Sequence, residues 1–249
     1  MTARSGRPLT LVTGGTRGIG AAVARRLAAD GHDLVLGYAH DSGAAESCRQ
    51  AVSALGAACE VVRADVTSQD QIDRLFAAAP GLTGVVNNAG ATLNLGPLAE
   101  TPVDVIRATV DLNLTGALLV ARAAVRALGR SYGGAGGVLV NISSGAATLG
   151  SPGEYVQYAA AKAGVDALTL GLAQEVAADG IRVVGVAPGL VRTRIHADAG
   201  DAGRVSRVGE RVPLGRAGEP SEIADAVAWL MSDAASYVTG TTLRVAGGR

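Results

Sequence analysis

The stretch TGGTRGIG, Thr13 to Gly20, follows directly on the apolar run LTLV, Leu9 to Val12. A helical pattern then runs from about Gly18 to Ala29, with Ile19, Val23 and Leu27 at helical spacing. Glycines between a first strand and a first helix let the backbone turn sharply and approach a ligand closely. The helix N-terminus presents free N–H groups to an anion. A lone glycine pattern is a weak signal, and placement at the first strand–helix junction strengthens it. The order here is Gly14, three residues, Gly18, then Gly20, which departs from the GxGxxG spacing. A plain tight turn is the competing reading, and the position at this junction speaks against it.

Outward from this turn, strands and helices alternate. Gly31 closes the first helix and HDLVLG opens a second strand. A helix follows from about Gly43 to Leu55, then CEVVRADV as a third strand, after which Thr67 or Ser68 is placed to cap a helix. GVVNNAG is strand four, helices fill about Pro102 to Leu128, GVLVNISS is strand five, and a long helix covers about Glu154 to Ala178. RVVGVAP, a helix over about Glu222 to Met231, and TTLRVAGG follow. Runs such as VVGVA are continuously apolar, as in a parallel sheet covered on both faces. The chain reads as one doubly wound α/β domain over residues 1–249. The segment from Arg194 to Gly218 is too long for an ordinary connection and reads as a lid or binding loop.

Lys+Arg and Asp+Glu balance at 22 each, so no net field draws nucleic acid or an anionic membrane surface. The opening MTARSGRP is polar, and no run of about 20 apolar residues marks a membrane span. A soluble cytoplasmic protein is expected. Cys48 and Cys59 lack metal spacing and a CxxC pattern, so they read as free thiols and no metal site is expected.

The end of the second strand bears on the cofactor. An NAD site places an acid there to hold the ribose 2′-OH. This strand ends in LVLGYAH, with Tyr38, Ala39 and His40 and no acid before Asp41. That absence, with Arg17 inside the glycine turn, favours NADP(H) over NAD(H). His40 helps if it faces inward, and Arg17 has a competing reading as a solvated loop charge.

Hydride transfer to a carbonyl needs a proton donor for the developing alkoxide. EYVQYAAAKAG, Glu154 to Gly164, holds two tyrosines. Their unperturbed pKa near ~10 is high for neutral pH, and a nearby cation lowers it. Tyr158 and Lys162 are four apart and share a helix face, whereas Tyr155 has no such partner and reads as a pocket wall or interface residue. An isolated YxxxK reads first as a chance surface pair. Here NISS ends strand five at the sheet edge where ligands bind. Ser144 is placed to bind the oxygen that Tyr158 protonates, while its competitor Ser143 points the other way by strand alternation. Asn113, in VDLNLTG, is an amide in an apolar helix. It reads as a structural kink or as the anchor of a water leading to Lys162. Arg204, Arg207 and Arg211 read as a solvated face first, and as contacts to an anionic substrate or carrier second.

TGGTRGIG, Asp65-Val66, NNAG (Asn87 to Gly90), Asn113, NISS, YAAAK and PGLVRT (Pro188 to Thr193) occur in this order over nearly the whole chain. Together they resemble the classical short-chain dehydrogenase/reductase family. The similarity is greatest to bacterial 3-oxoacyl-carrier-protein reductase-like and glucose-dehydrogenase-like members. The resemblance implies a Rossmann fold with a seven-stranded, mostly parallel sheet in the order 3-2-1-4-5-6-7. It implies a catalytic tetrad of Asn113, Ser144, Tyr158 and Lys162. Tyr158 would be the acid/base, and Lys162 would lower its pKa and hold the nicotinamide ribose. Cofactor contacts would come from Gly14, Thr16, Arg17, Gly18, Ile19 and Gly20 in the glycine turn, and from Tyr38, Ala39 and His40 after strand two. Asp65 and Val66 would flank the adenine, and Asn88, Ala89 and Gly90 would line the channel. Pro188, Gly189, Val191 and Thr193 would hold the nicotinamide end.

The implied partners are a small carbonyl or alcohol substrate and further copies of the chain, as a homotetramer built on the two long helices. The expected activity is an NADP-dependent ketoreductase interconverting a carbonyl and a secondary alcohol. Reduction of a C=N bond and a non-catalytic dinucleotide-binding role are the alternatives, and the intact Tyr158–Lys162 pair disfavours the second. The chain departs from the family pattern at two places. Ser144 lies fourteen residues before Tyr158, one more than the common spacing, which the SPGEY turn is expected to absorb. Val184 stands where many relatives have Asn, with no expected loss of chemistry.

Overall fold

The apolar runs form a seven-stranded sheet whose side chains build two cores, one on each face. The structure is a computed structural model and describes residues 6–249; the polar lead-in of residues 1–5 lies outside the described residues. The strands are β1 (Leu9–Val12), β2 (Asp33–Tyr38), β3 (Cys59–Arg63), β4 (Gly84–Asn87), β5 (Gly137–Ile142), β6 (Ile181–Pro188) and β7 (Thr242–Val245). Their order is β3-β2-β1-β4-β5-β6-β7, and every pairing is parallel, β7 included. Alternate residues feed opposite faces. Leu36, Val140 and Val184 enter one core, and Leu11, Val35 and Leu139 enter the other. Val184 is fully buried there, which suits an apolar residue at that position.

The helices are α1 (Gly18–Ala29), α2 (Ser42–Ser53), α3 (Gln69–Ala77), α4 (Val103–Val110), α5 (Gly116–Leu128), α6 (Ala146–Leu149), α7 (Val156–Val176), α8 (Ile195–Asp198), α9 (Arg204–Gly209) and α10 (Pro220–Met231). α1 and α10 pack on the first face, and α3, α5 and α7 on the second. α10 starts two residues before its expected position, because Pro220 suits a first helical position and Glu219 and Glu222 form a capping box. Ser68 stands at the N-cap of α3 without a side-chain cap bond; Thr67 instead donates to Asp65.

Three features depart from the sequence reading. The helix expected over Pro102 to Leu128 is broken by a π-helical turn, Asp111–Thr115, centred on Asn113. The segment Arg194 to Gly218 is not plain loop, since α8 and α9 lie within it. Val103–Leu128 also reaches the length and hydropathy of a membrane span, at a mean hydropathy of 1.3. Charges such as Arg107, Asp111 and Arg122 interrupt it in sequence. In the fold, Val120, Ala124 and Leu128 pack it into the second core.

Strand order reverses between β1 and β4. Ligands of open α/β sheets bind at such a point, beyond the carboxyl ends of the strands.

Candidate active site

A cleft of about 1430 Å³ opens at that edge. Its floor is the turn from β1 into α1. Gly20 is required there by crowding, because a Cβ would stand 2.1 Å from the Gly14 carbonyl oxygen. α1 begins without a side-chain cap, so the N–H groups of its first turn lack that partner. Gly14, Thr16, Arg17, Gly18, Ile19 and Gly20 all line the cleft.

The β2 end contributes Tyr38, Ala39 and an exposed His40. Asp41 also reaches the cleft, but its carboxylate accepts the Ala44 N–H at 2.9 Å and caps α2. Arg25, two turns along α1 from Gly18, lines the cleft with Arg17, and neither has an acidic partner among the described residues. Asp65 accepts from both the backbone N–H and the hydroxyl of Thr67. Val66, Asn88, Ala89, Gly90, Pro188, Gly189, Val191 and Thr193 complete the walls. Asn88 is fixed by donating its amide N–H groups to the carbonyls of Thr13 and Gly14. The uncapped helix end, the crowded glycine turn and the unpaired arginines fit a dinucleotide phosphate chain.

At the other end, α7 carries Tyr158 and Lys162 on one face. Tyr158 is buried, with the Ser144 hydroxyl on its phenol side favouring the ionised form. Ser144 also accepts the Ala146 N–H at 3.1 Å. Ser143 turns away and donates to the Lys162 carbonyl at 3.2 Å. Between Ser144 and Tyr158, Gly150, Ser151 and Gly153 all adopt positive φ. Lys162 is the one lysine among 249 residues. It is 4% exposed and donates to the Ile142 carbonyl at 2.9 Å. Its Nζ lies 5.7 Å from the Tyr158 ring centroid.

The electrostatics differ from the expectation for this pair. Burial pushes the Tyr158 phenol up to about 12; the Ser144 hydrogen bond opposes this, and Tyr155 adds to it. Burial likewise pulls Lys162 down to about 8, against the attraction of Asp166. In the chain alone, desolvation outweighs any help Lys162 gives the phenolate.

Asn113 is the one member of the expected tetrad that does not line the cleft. Fully buried in the π turn, it donates to the Ala91 and Thr109 carbonyls at 2.8 and 2.9 Å and accepts the Ala91 N–H at 3.2 Å. It thereby fixes the segment that follows β4. Gly90 packs so closely here that a Cβ would lie 2.7 Å from Asn113 Oδ1 and 3.3 Å from Lys162 Nζ.

Several cleft residues escape the sequence reading: Arg25, Leu93, Leu149, Ser151, Glu154 and Ile195. Arg25 had a signal, its two-turn spacing from Gly18. Arg204 requires a correction, because it is not solvated. Its side chain is 6% exposed and forms a bidentate pair with Glu154 at 2.8 and 2.6 Å. It also donates to the Tyr155 hydroxyl at 3.1 Å and lies 5.3 Å from that ring's centroid. Tyr155 is a wall of the cleft and meets Tyr158 edge-to-face at 5.5 Å. Arg207 pairs with Asp201 on the exposed side of the segment. The cysteines are free, Cys48 being buried, and no metal-binding cluster occurs among the described residues.

A switch-point cleft, a glycine turn and a Ser–Tyr–Lys cluster at its far end define a dinucleotide-dependent α/β oxidoreductase. A family model described as Enoyl-(Acyl carrier protein) reductase matches residues 14–249, and the chain belongs to the short-chain dehydrogenase/reductase family. It is similar to the uncharacterized oxidoreductase YgfF of Escherichia coli, at 42% identity over 97% of this chain and 99% of the relative. It is 40% identical to 3beta-hydroxysteroid dehydrogenase 1 of Eggerthella lenta, over 96% of this chain and 92% of that protein. Among solved structures, a short-chain dehydrogenase from Burkholderia cenocepacia in complex with NADP superposes with a TM-score of 0.87. It shares 33% identity, and the match covers 97% of both chains. The chain is therefore an enzyme of this oxidoreductase family, which binds a nicotinamide dinucleotide and acts on small molecules.

Proposed function

We propose that the protein is an NADP(H)-dependent oxidoreductase that interconverts a ketone and a secondary alcohol, with Tyr158 as acid/base. One observation carries this reading: the Tyr158 phenol is buried in the cleft with Ser144 and is faced by Lys162. The bound dinucleotide supplies or accepts the hydride. Ser144 and Tyr158 hold the substrate oxygen between them, and Tyr158 donates its proton to that oxygen as negative charge develops. Lys162 would hold the nicotinamide ribose when the dinucleotide is bound, and its positive charge would favour the phenolate of Tyr158. Asn113 acts as a positioning residue through the Ala91 backbone. The glycine turn, Asp65, Val66 and the Asn88 to Gly90 segment hold the nucleotide, and Pro188, Gly189, Val191 and Thr193 hold its nicotinamide end.

Arg17 and Arg25 support NADP(H), since both line the cleft without an acidic partner among the described residues while Asp41 is committed to capping α2. The NADP complex of the Burkholderia structure agrees with this preference. Exposed Leu118 on α5 and Leu170 on α7 support a homotetramer on these helices, and the family match supports a cytoplasmic location. The test is turnover of a carbonyl panel followed by NADPH absorbance, repeated with NADH. The Tyr158→Phe variant is expected to lose activity while retaining cofactor binding. A Tyr158→Phe enzyme as fast as wild type removes the assignment.

A further inference from the structure

Among the described residues, two non-glycine positions have left-handed backbone, Leu93 (φ 57°) and Ser151 (φ 47°), and both line the substrate end of the cleft. Such backbone persists only where its surroundings hold it, and it gathers at functional sites. Here it leaves Leu93 44% exposed at the cleft, with Leu149 46% exposed in the same wall. Ile195 and Val205 add apolar surface from the segment above. The arginines of this end are cancelled by carboxylates. Glu154 takes both terminal nitrogens of the buried Arg204, Asp198 pairs with Arg194, and Glu219 with Arg192. Arg249, on the exposed rim, is the exception.

We propose that the Glu154–Arg204 pair is a charge filter, so that this site takes neutral, largely apolar ketones and secondary alcohols and rejects those bearing a carboxylate or phosphate. This rests on the oxidoreductase reading above. Glu154 occupies the guanidinium fork that would otherwise grip an anion. An incoming carboxylate meets the charge of Glu154 and displaces water from leucine surface without any polar return. A neutral apolar substrate gains from that same surface.

The test uses two ketones that differ only in charge, methyl 4-oxocyclohexanecarboxylate and 4-oxocyclohexanecarboxylate. With NADPH, and again with NADH, kcat/KM is expected to favour the ester at least tenfold. Glu154→Gln uncovers the Arg204 cation and is expected to cut that ratio at least fivefold. The double variant Glu154→Gln/Arg204→Met removes both charges and restores the ratio. A wild-type enzyme that uses the acid as well as the ester overturns the proposal, and so does an unchanged ratio in Glu154→Gln. Should Glu154→Gln not fold, Leu93→Lys places a new cation in the cleft; a shift of at least fivefold toward the acid is expected, and no shift overturns the proposal. Calorimetric binding of the two corresponding alcohols measures the same preference without turnover. If neither ketone reacts, this pair lies outside the enzyme's substrates, a result that bears on the ketone–alcohol reading and not on the filter. The binding ratio still decides the filter: tighter binding of the hydroxy ester supports it, and equal or tighter binding of the hydroxy acid overturns it.

Discussion

The ammonium nitrogen of Lys162 lies 5.7 Å from the centroid of the Tyr158 ring, one helical turn away, and its hydrogen bond goes to the Ile142 carbonyl rather than to the phenol. The two groups share a buried pocket that penalises charge on either. Their titrations are displaced in opposite directions, Lys162 down to about 8 and Tyr158 up to about 12.

A pH dependence of stability follows. Between about 8 and the ordinary lysine value of 10.5, the unfolded chain holds a proton on Lys162 that the folded chain has released. Stability therefore rises with pH across that window. Tyr158 acts in the opposite sense between its ordinary 10 and about 12, where stability falls as pH rises. Urea unfolding at pH 8 and pH 10 should show wild type gaining on the order of 2 kcal/mol relative to Lys162→Met. Selective 13C labelling of lysine gives a single side-chain signal, and its midpoint near pH 8 checks the same displacement. A midpoint above 10 would contradict it.

The two serines of β5 and its edge should separate cleanly. Ser144→Ala removes the partner of Tyr158 and is expected to lower kcat by ~10²-fold or more with little change in stability. Ser143→Ala removes a hydrogen bond to the Lys162 carbonyl, costing about 1 kcal/mol of stability while activity stays within a few-fold. Steady-state kinetics and urea melts on both variants decide this, and the reverse pattern would transfer the role to Ser143.

Cofactor preference should reside in two arginines on one side of α1. Arg17→Ala and Arg25→Ala are each expected to weaken NADPH binding roughly tenfold, as loss of a charge-assisted contact implies. NADH binding should change little. Titrations followed by fluorescence of the reduced nucleotide test this, and equal losses for both nucleotides would place the arginines elsewhere in recognition.

Asn113→Ala should be a stability variant as much as an activity variant. It strands the Ala91 N–H and the Ala91 and Thr109 carbonyls in a buried site. A loss of about 3 kcal/mol in urea unfolding is expected. Turnover should fall as well, because the segment beside Gly90 and Lys162 loosens. A variant of wild-type stability would show that water reaches these groups.

Where the chain obeys local rules, its structure was readable in advance. The continuous apolar runs of β5 and β6 gave a parallel sheet covered on both sides. The four-residue spacing singled out Tyr158 over Tyr155, and strand alternation turned Ser144 rather than Ser143 toward it. Features set by distant partners were not readable. Arg204 lies in a polar, glycine-rich stretch and looks solvated until Glu154, fifty residues earlier, is brought against it. The π turn at Asn113 was legible only as a helix kink, because its neighbours keep a helical apolar pattern. The depressed Lys162 and raised Tyr158 depend on burial, which spacing alone does not report.

The basic charge on the outside of this protein is carried by guanidinium groups, since the one lysine is enclosed beside Tyr158. Reagents and enzymes that build amide, imine or isopeptide bonds on lysine therefore have a single side-chain target, and it lies at the reaction centre. Covalent tagging of that amine and loss of turnover become one event, readable as a mass increment on the peptide that holds Lys162.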